Sequence, residues 1–280
     1  VVAISDVPGL QKALRQAKAG DEITMAPGRY RFKGRRLSLG ASGSRLSPIY
    51  VRAEAPGTVI LEFDSLEGFY VNKSFWVFEN LRIEGGCRSD SDCEHAFHVV
   101  GDAQSVVIRN NELVDFNAAI KVNMVRHDNT ELLPDFGLVQ NNSIYNTRPR
   151  QTSNPTTPLN INAGSGWVVS ANFVADFSKA EGDRISYAGF MKSNSFGGIF
   201  ERNLVVCHWK LPMRGDIRLG LSLGGGGSGK QFCRDGSCTR EHTGGVIRNN
   251  IIARCPMDVG IYLNRASGTR ISNNLIVGTK

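Results

Sequence analysis

No segment of this chain approaches the ~18 consecutive apolar residues that a membrane-spanning helix requires, so helical insertion into a bilayer is excluded. Proline is scarce, 10 residues in 280, while glycine is abundant at 31; that balance suits many tight turns and not a proline-rich stalk. The first residues, Val1 to Val7, lack the charged and apolar regions of a leader, and the numbering reads as that of a mature chain. Acidic residues are outnumbered by basic ones, 26 against 33. The resulting charge of +7 favours a polyanion as partner: nucleic acid, anionic membrane surface or acidic polysaccharide. Hydrophobic residues make up 41% and charged ones 21%, which excludes global disorder.

Six cysteines are present. Cys87 and Cys93 enclose one short polar loop, and Cys233 and Cys238 enclose another. A zinc site needs tighter spacing and usually histidine partners, and although His95 and His242 lie nearby, disulfides are the preferred reading. Disulfides imply an oxidising compartment, hence a secreted or periplasmic protein. Cys207 and Cys255 fall at matching places in neighbouring repeats, where they either pair or stack as small apolar residues.

The repeats decide the fold. An apolar strand followed by Asn recurs at Phe78–Leu81, Ile108–Asn111, Val139–Asn142, Val169–Asn172, Phe200–Asn203, Ile247–Asn250 and Ile271–Asn274. Aligned on the last Asn of each, the steps are 31, 31, 30, 31, 47 and 24 residues. A constant unit with variable insertions describes a solenoid with loops. A second column of short strands ends in Asn72, Asn123, Asn162, Asn194 and Asn264. Stacked Asn side chains can hydrogen-bond along the axis and satisfy a bent backbone, so these residues are read as structural. Residues 8–18 carry Leu10, Ala13, Leu14 and Ala17 at helical spacing, a short amphipathic cap for the open end of the core. The expected fold is therefore all-β: a single-stranded right-handed parallel β-helix spanning 1–280 as one domain, with an N-terminal capping helix. Loop insertions are expected at 85–95, 124–137, 147–157, 176–187, 208–216 and 225–243.

His98-Val99-Val100 and Ser222-Leu223-Gly224 occupy the same place without Asn, and in all seven strands the residue two before the turn position shares its side of the strand. That set is Tyr70, His98, Lys121, Asn160, Lys192, Ser222 and Tyr262, and it is polar; the residues between are mostly apolar. The polar set is expected to face solvent, one residue per rung about 4.8 Å apart. With loops on both sides it would form the floor of a groove for an extended polymer. The bland alternative is an ordinary solvated sheet face.

Lys192 lies in Gly189–Asn194, and Arg214 and Arg218 follow in the next rung. Lys-Ser ahead of a rung Asn, with Arg on the following rung, resembles the chondroitinase B and alginate lyase family of β-helix polysaccharide lyases. The resemblance rests on residues 188–224 and the β-helix character of the whole. It implies Lys192 as general base and Arg218 or Arg214 as the group that neutralises the carboxylate, with an acidic polysaccharide as substrate. The family's calcium ligands have no clear counterpart, since Ile185 and Tyr187 stand at the matching places with Glu181 and Asp183 farther back. No cofactor is therefore expected, calcium being the one candidate without identifiable ligands. Tyr70, His98, Lys121, Asn160, Ser222, His242 and Tyr262 are the expected substrate-binding residues. The string Asn72-Lys73-Ser74 matches the family better, but Lys73 follows a turn Asn and belongs at a corner.

The chemistry can be stated from the residues alone. A uronate lyase neutralises a carboxylate, removes the adjacent C5 proton and assists departure of O4. A lysine can be the base if burial or nearby positive charge makes it neutral. Three rivals remain. A hydrolase needs paired acids, which the stripe lacks. A uronate C5-epimerase shares the proton abstraction, and a non-catalytic polysaccharide binder or adhesin needs no base. Gly224–Lys230 tempts a phosphate-loop reading, but no helix follows. The basic residues are scattered without a recognition module, which argues against nucleic acid.

Overall fold

A computed structural model describes every residue of the chain except 129. Its strands form three long parallel sheets of ten, nine and eight strands, visited in turn by each coil of the chain. One coil runs Trp76–Glu79, Arg82–Gly85, His95–Val100, and each strand pairs with its counterpart one coil later. This is the parallel β-helix that the repeats require. The core is a continuous column of inward residues, among them Phe69, Phe78, Phe97, Ile108, Val122, Val169 and Phe200, all with no exposed surface. Phe69 and Phe97 stack 5.3 Å apart on successive coils.

The corner between the ten-strand and nine-strand sheets shows why Asn recurs. Asn110, Asn141, Ala171, Arg202, Asn249 and Asn273 adopt left-handed backbone at φ between 52° and 57°, where Asn is tolerated better than most residues. The residue after each points inward. Asn111, Asn142, Asn172, Asn203, Asn250 and Asn274 form a ladder in which each backbone N–H donates to the next side-chain carbonyl at 2.9–3.0 Å. The first repeat is offset by one residue from its sequence alignment. Asn80 occupies the left-handed corner, and Leu81 begins the ladder by donating its N–H to Asn111.

The cap is a helix, Val7–Gln16, closed by Asp6, whose carboxylate accepts from the Gly9 N–H at 2.6 Å. Leu10 and Leu14 bury its inner face over the first coil. Three of the expected insertions differ in detail: within 225–243, His242–Thr243 form a short strand paired with Ser195–Phe196 and Ala266–Ser267. Residues 185–187 are not loop but the start of the long strand Ile185–Lys192, because they pair with Ile217–Leu219 of the next coil. The 124–137 segment contains an antiparallel pair, Val125–His127 with Thr130–Leu132.

All six cysteines are paired: Cys87–Cys93, Cys233–Cys238 and Cys207–Cys255. The third pair joins consecutive coils with Cα atoms 5.0 Å apart, which resolves the choice between pairing and stacking. Cys233, Cys238 and Asp235 are close enough to suggest a metal site, but the two sulfurs are bonded to each other. Thiol titration of the unfolded, unreduced protein should find no reactive cysteine; a signal from even one pair would contradict this pairing.

Candidate active site

The eight-strand sheet carries the candidate site. Its central column reads Ser38, Tyr70, His98, Lys121, Asn160, Phe190, Ser222, Tyr262. The column corrects the sequence alignment at one place. Lys192 pairs with Asn162, not with Asn160, so it lies two residues along, in the column of the turn Asn residues, and Asn194 lies beyond that column. A shift of two preserves the side of the strand, so Lys192 still faces outward.

Around Lys121 and Lys192 the surface closes into a cleft of about 530 Å³, lined also by Asn123, Asn162, Arg126, Ser228 and Phe232. The 225–243 insertion roofs it. Arg126 donates to the Cys233 carbonyl at 2.8 Å, and Arg234 donates to Asp135 at 2.8 Å, so the roof is tied to the 124–137 segment at two points. Glu241 holds the roof's inner edge by accepting from the N–H groups of Ser193 and Ser228. The 85–95 and 147–157 insertions are pinned to each other by Asp90, which accepts from Arg148 and from the Gln151 N–H, both at 2.7 Å.

The floor holds two lysines in different settings. The Lys121 ammonium donates to Asn160 Oδ1 at 3.0 Å. Its pKa is lowered to about 8, first by burial and then by the charge of Lys192, against a smaller opposing pull from Glu94. The Lys192 ammonium donates to the Gly227 carbonyl at 2.6 Å and lies 4.7 Å from the centre of the Phe190 ring. Burial lowers its pKa too, while Glu241 pulls it back up. Asn160 Oδ1 also accepts from Asn162 Nδ2 at 2.9 Å, which leaves Asn162 Oδ1 without a partner among the described residues. A buried, unpaired acceptor on a cleft wall suits a sugar hydroxyl.

Beside Lys121 stand two histidines that differ. His98 places Nδ1 2.5 Å from Glu67 and Nε2 2.6 Å from Asn123 Oδ1, and both contacts are satisfied when both nitrogens carry hydrogen. Asn123 donates its own amide to the Met124 carbonyl, which fixes that orientation. The pairing holds Glu67 well down, to about 2, against the upward push of burial. His95 is pushed down to about 3 by burial and the neighbouring His98 and Lys121, so it is neutral. Its Nδ1 lies 2.9 Å from the Ala118 carbonyl and therefore carries the hydrogen, leaving Nε2 with a lone pair. Glu94, held by Asn117 and Asn154, is raised by burial.

Sequence reasoning missed His95, Glu67 and Tyr187 as floor residues, because strict alternation turns them inward. Two consecutive residues, Ala96 and Phe97, both enter the core, and that irregularity brings His95 out beside His98, ring centres 5.0 Å apart. Tyr187 comes out beside Phe190 in the same way, 5.6 Å away. Burial raises the Tyr187 hydroxyl to about 12.

Three expected site residues lie elsewhere. Arg218 is fully buried, donating to Asp216 at 2.6 Å and lying 3.7 Å from Asp176. It stands six residues up the strand from the position level with Lys192, roughly 20 Å away. Arg214 is farther still, and its carbonyl accepts from Arg184. Neither can neutralise a carboxylate held at Lys192. His242 is wholly buried: Nε2 accepts from the Gly198 N–H at 3.2 Å, so Nδ1 donates to Ser195 Oγ, and burial lowers it to about 4. It is a structural histidine with no open face. Ser222 belongs to the floor column but is covered, accepting from the Gly225 N–H under the roof. Tyr70 and Tyr262 remain accessible toward the two ends of the column. Asn160 is buried and holds the Lys121 amine. Lys73 sits in the turn after Asn72, off the floor.

The acids near the cleft are individually engaged: Glu67 with His98 and Arg36, Glu94 with two asparagines, Asp183 with Lys179. Among the described residues no group of three carboxylates lies within mutual ligand distance beside the lysines.

Known proteins add the following. The chondroitinase B family profile matches residues 4–81, the cap and the first coils. A comparison with curated protein sequences finds no match. An alginate lyase from Paenibacillus sp. str. FPU-7 superposes with a TM-score of 0.61 at 16% identity, over 99% of this chain and 97% of its own. A rhamnogalacturonan lyase gives 0.59 at 12% identity over 88% and 62%. A lacto-N-biosidase from Eubacterium ramulus gives 0.62 at 10% identity over 95% and 52%. The fold is shared by lyases and a glycosidase, so it does not choose between chemistries. This chain is a parallel β-helix that resembles chondroitinase B in sequence over its first coils and polysaccharide lyases in its fold throughout.

Proposed function

We propose that this protein is an exported lyase of acidic polysaccharides, cleaving a uronate-containing polymer by β-elimination in the cleft over Lys121 and Lys192. The observation that carries the reading is the pair of lysines on one roofed floor, one of them brought to about 8. A base must be neutral when it acts, and Lys121 meets that condition in mildly alkaline solution. Lys192 suits the other requirement, a cation facing the substrate carboxylate: burial lowers its pKa, but Glu241 offsets part of that, and no neighbouring positive charge adds to it. The sequence motif implied Lys192 as base; in this reading the base is Lys121, whose shift is the larger one supported by a neighbouring charge, and Lys192 takes the neutralising role expected of the arginines.

In this reading the Lys121 amine takes the C5 proton. The electron pair of the broken C5–H bond becomes the C4=C5 double bond, and the C4–O4 bond breaks. The ammonium formed on Lys121 is the nearest acid for the departing oxygen. Asn160 orients the amine, and His95 Nε2 and Asn162 Oδ1 offer acceptors to sugar hydroxyls. The fold of lyase neighbours and the net charge of +7 support an anionic substrate.

The test is a panel of alginate, pectate, chondroitin and other uronates, monitored for the ultraviolet absorbance of unsaturated ends. Rising absorbance with one of them is expected. Binding without new absorbance would replace the lyase with a binder, and isomerised uronate without chain cleavage would replace it with an epimerase.

A further inference from the structure

We infer that the floor continues past the cleft to a second anion-binding subsite, formed by Arg15, Arg35 and Arg36, which grips a carboxylate several sugars away from the bond that breaks. The inference rests on the lyase reading for the identity of the polymer and on separate geometry for the subsite.

The column beyond Lys121 runs through His98 and Tyr70 to Ser38, three coils away, or about 14 Å. Leu37 points into the core, so its neighbours Arg36 and Ser38 point out along this same face. Two concavities meet there. One, of about 420 Å³, is bounded by Gly34, Arg35, Arg36 and Glu67. The other, of about 260 Å³, lies between the capping helix and the first strand of the sheet and is lined by Gln11, Arg15, Arg35 and Arg36. Arg35 and Arg36 line both, and Arg15 lines the second, so three arginines border two adjoining hollows.

The only acid in that lining is Glu67, and its oxygens are already taken by His98 and Arg36. Arg15 and Arg35 form no ion pair among the described residues. Arg36 is held over the Tyr70 ring, 3.6 Å from its centre, which fixes the guanidinium at the edge of the floor. Guanidinium forks bind carboxylates in two-point fashion. The same arginine links the subsite to the cleft, since Glu67 bridges Arg36 to His98. An extended acidic chain lying along the floor would touch both places, and a short one would reach only the cleft. Substrate length should therefore matter.

Arg15 and Arg35 are exposed and unpaired, so an Arg15→Ala/Arg35→Ala double variant should fold normally. It would be compared with the parent protein on three-sugar and six-sugar fractions of the uronate cleaved in the panel. For the parent, kcat/KM is expected to rise steeply from three sugars to six. In the variant that ratio should fall about tenfold, the size of one lost charge-assisted contact, through KM and not kcat. The same fractions of oligogalacturonate and oligomannuronate would be titrated calorimetrically into a Lys121→Ala protein with and without the two arginines. That arm reads the subsite even if the lyase reading fails. Six-sugar binding that weakens about tenfold on losing the arginines supports the inference. An unchanged length ratio, equal losses on both lengths, or six-sugar binding indifferent to the arginines would overturn it.

Discussion

Replacing Lys121 by Ala should reduce turnover of the uronate substrate by 10²–10⁴, the usual contribution of a positioned general base, with folding intact. Lys121 points away from the core, and its amine meets only Asn160, so its loss removes little packing. The charge-preserving variants separate the two lysines. Lys121→Arg should be as inactive as Lys121→Ala, because a guanidinium cannot become neutral. Lys192→Arg should retain activity within about tenfold of the parent if its task is to meet a carboxylate. Lys73→Ala should change nothing. The pH profile adds a signature. Neutral Lys121 becomes more abundant as pH rises through about 8, so kcat/KM should climb to a plateau above it, with the limb placed by this residue. Removing Lys192 takes away the charge that adds to burial in depressing Lys121, so the limb in Lys192→Ala should move to higher pH. Inactive Lys192→Arg beside active Lys121→Arg would return the base to Lys192, as the sequence motif implied.

The parts of this molecule that could be read in advance are those where the backbone dictates the residue. A left-handed corner followed by an inward amide admits few side chains, and it recurs on six coils from Asn111 to Asn274. The capping helix was legible because Leu10 and Leu14 must cover an open core. The floor was legible only in part, for three physical reasons. A register error of two residues leaves every side chain on its correct face, so Lys192 looked equivalent to Lys121 when it stands beside Asn162. Paired inward residues such as Ala96-Phe97 break alternation without any mark in composition, and they bring out His95. Finally, a buried cation looks like an exposed one until its partner is known. Arg218 is neutralised by Asp216 two residues away and by Asp176 from the preceding coil, 42 residues earlier, a distance no local pattern spans. The one clue for Arg218 was the nearby Asp216, which is as expected of a structural ion pair as of a catalytic one. His242 was misplaced because nothing local marks it as inward: its ring packs against Gly198 and Gly245, where an added Cβ would come within 3.0 and 2.7 Å of it.

The Asn ladder should prove the most sensitive structural element, and Asn172→Leu should destabilise the protein by about 3–5 kcal/mol. Asn172 Oδ1 accepts from the backbone N–H of Asn142 at 2.9 Å and from its side-chain amide at 3.0 Å. Its own amide donates to Val139, Ser170 and Asn203. Leucine has a similar volume, so the cost is not a cavity. It is the stranding of two buried donors on Asn142 and of carbonyl oxygens above and below, each worth about 1–3 kcal/mol when water cannot reach them. Leu81 shows why an apolar residue is tolerated at the ladder's start: its backbone N–H donates to Asn111, and the side chain there has no amide of a preceding ladder residue to receive. Asn274→Leu, in the last described coil, makes the comparison, since that position is only half-buried and solvent can replace the acceptor that Asn250 loses. Its cost should be about 1 kcal/mol or less. Because each coil touches only its neighbours, the central lesion should also split the urea transition into two steps, while the terminal one merely shifts it. Urea unfolding followed by circular dichroism and by tryptophan fluorescence would separate the cases, Trp167 lying fully buried close to the central lesion and Trp76 nearer the cap. Equal, small shifts for the two variants would mean that the side-chain ladder accompanies the corner without stabilising it.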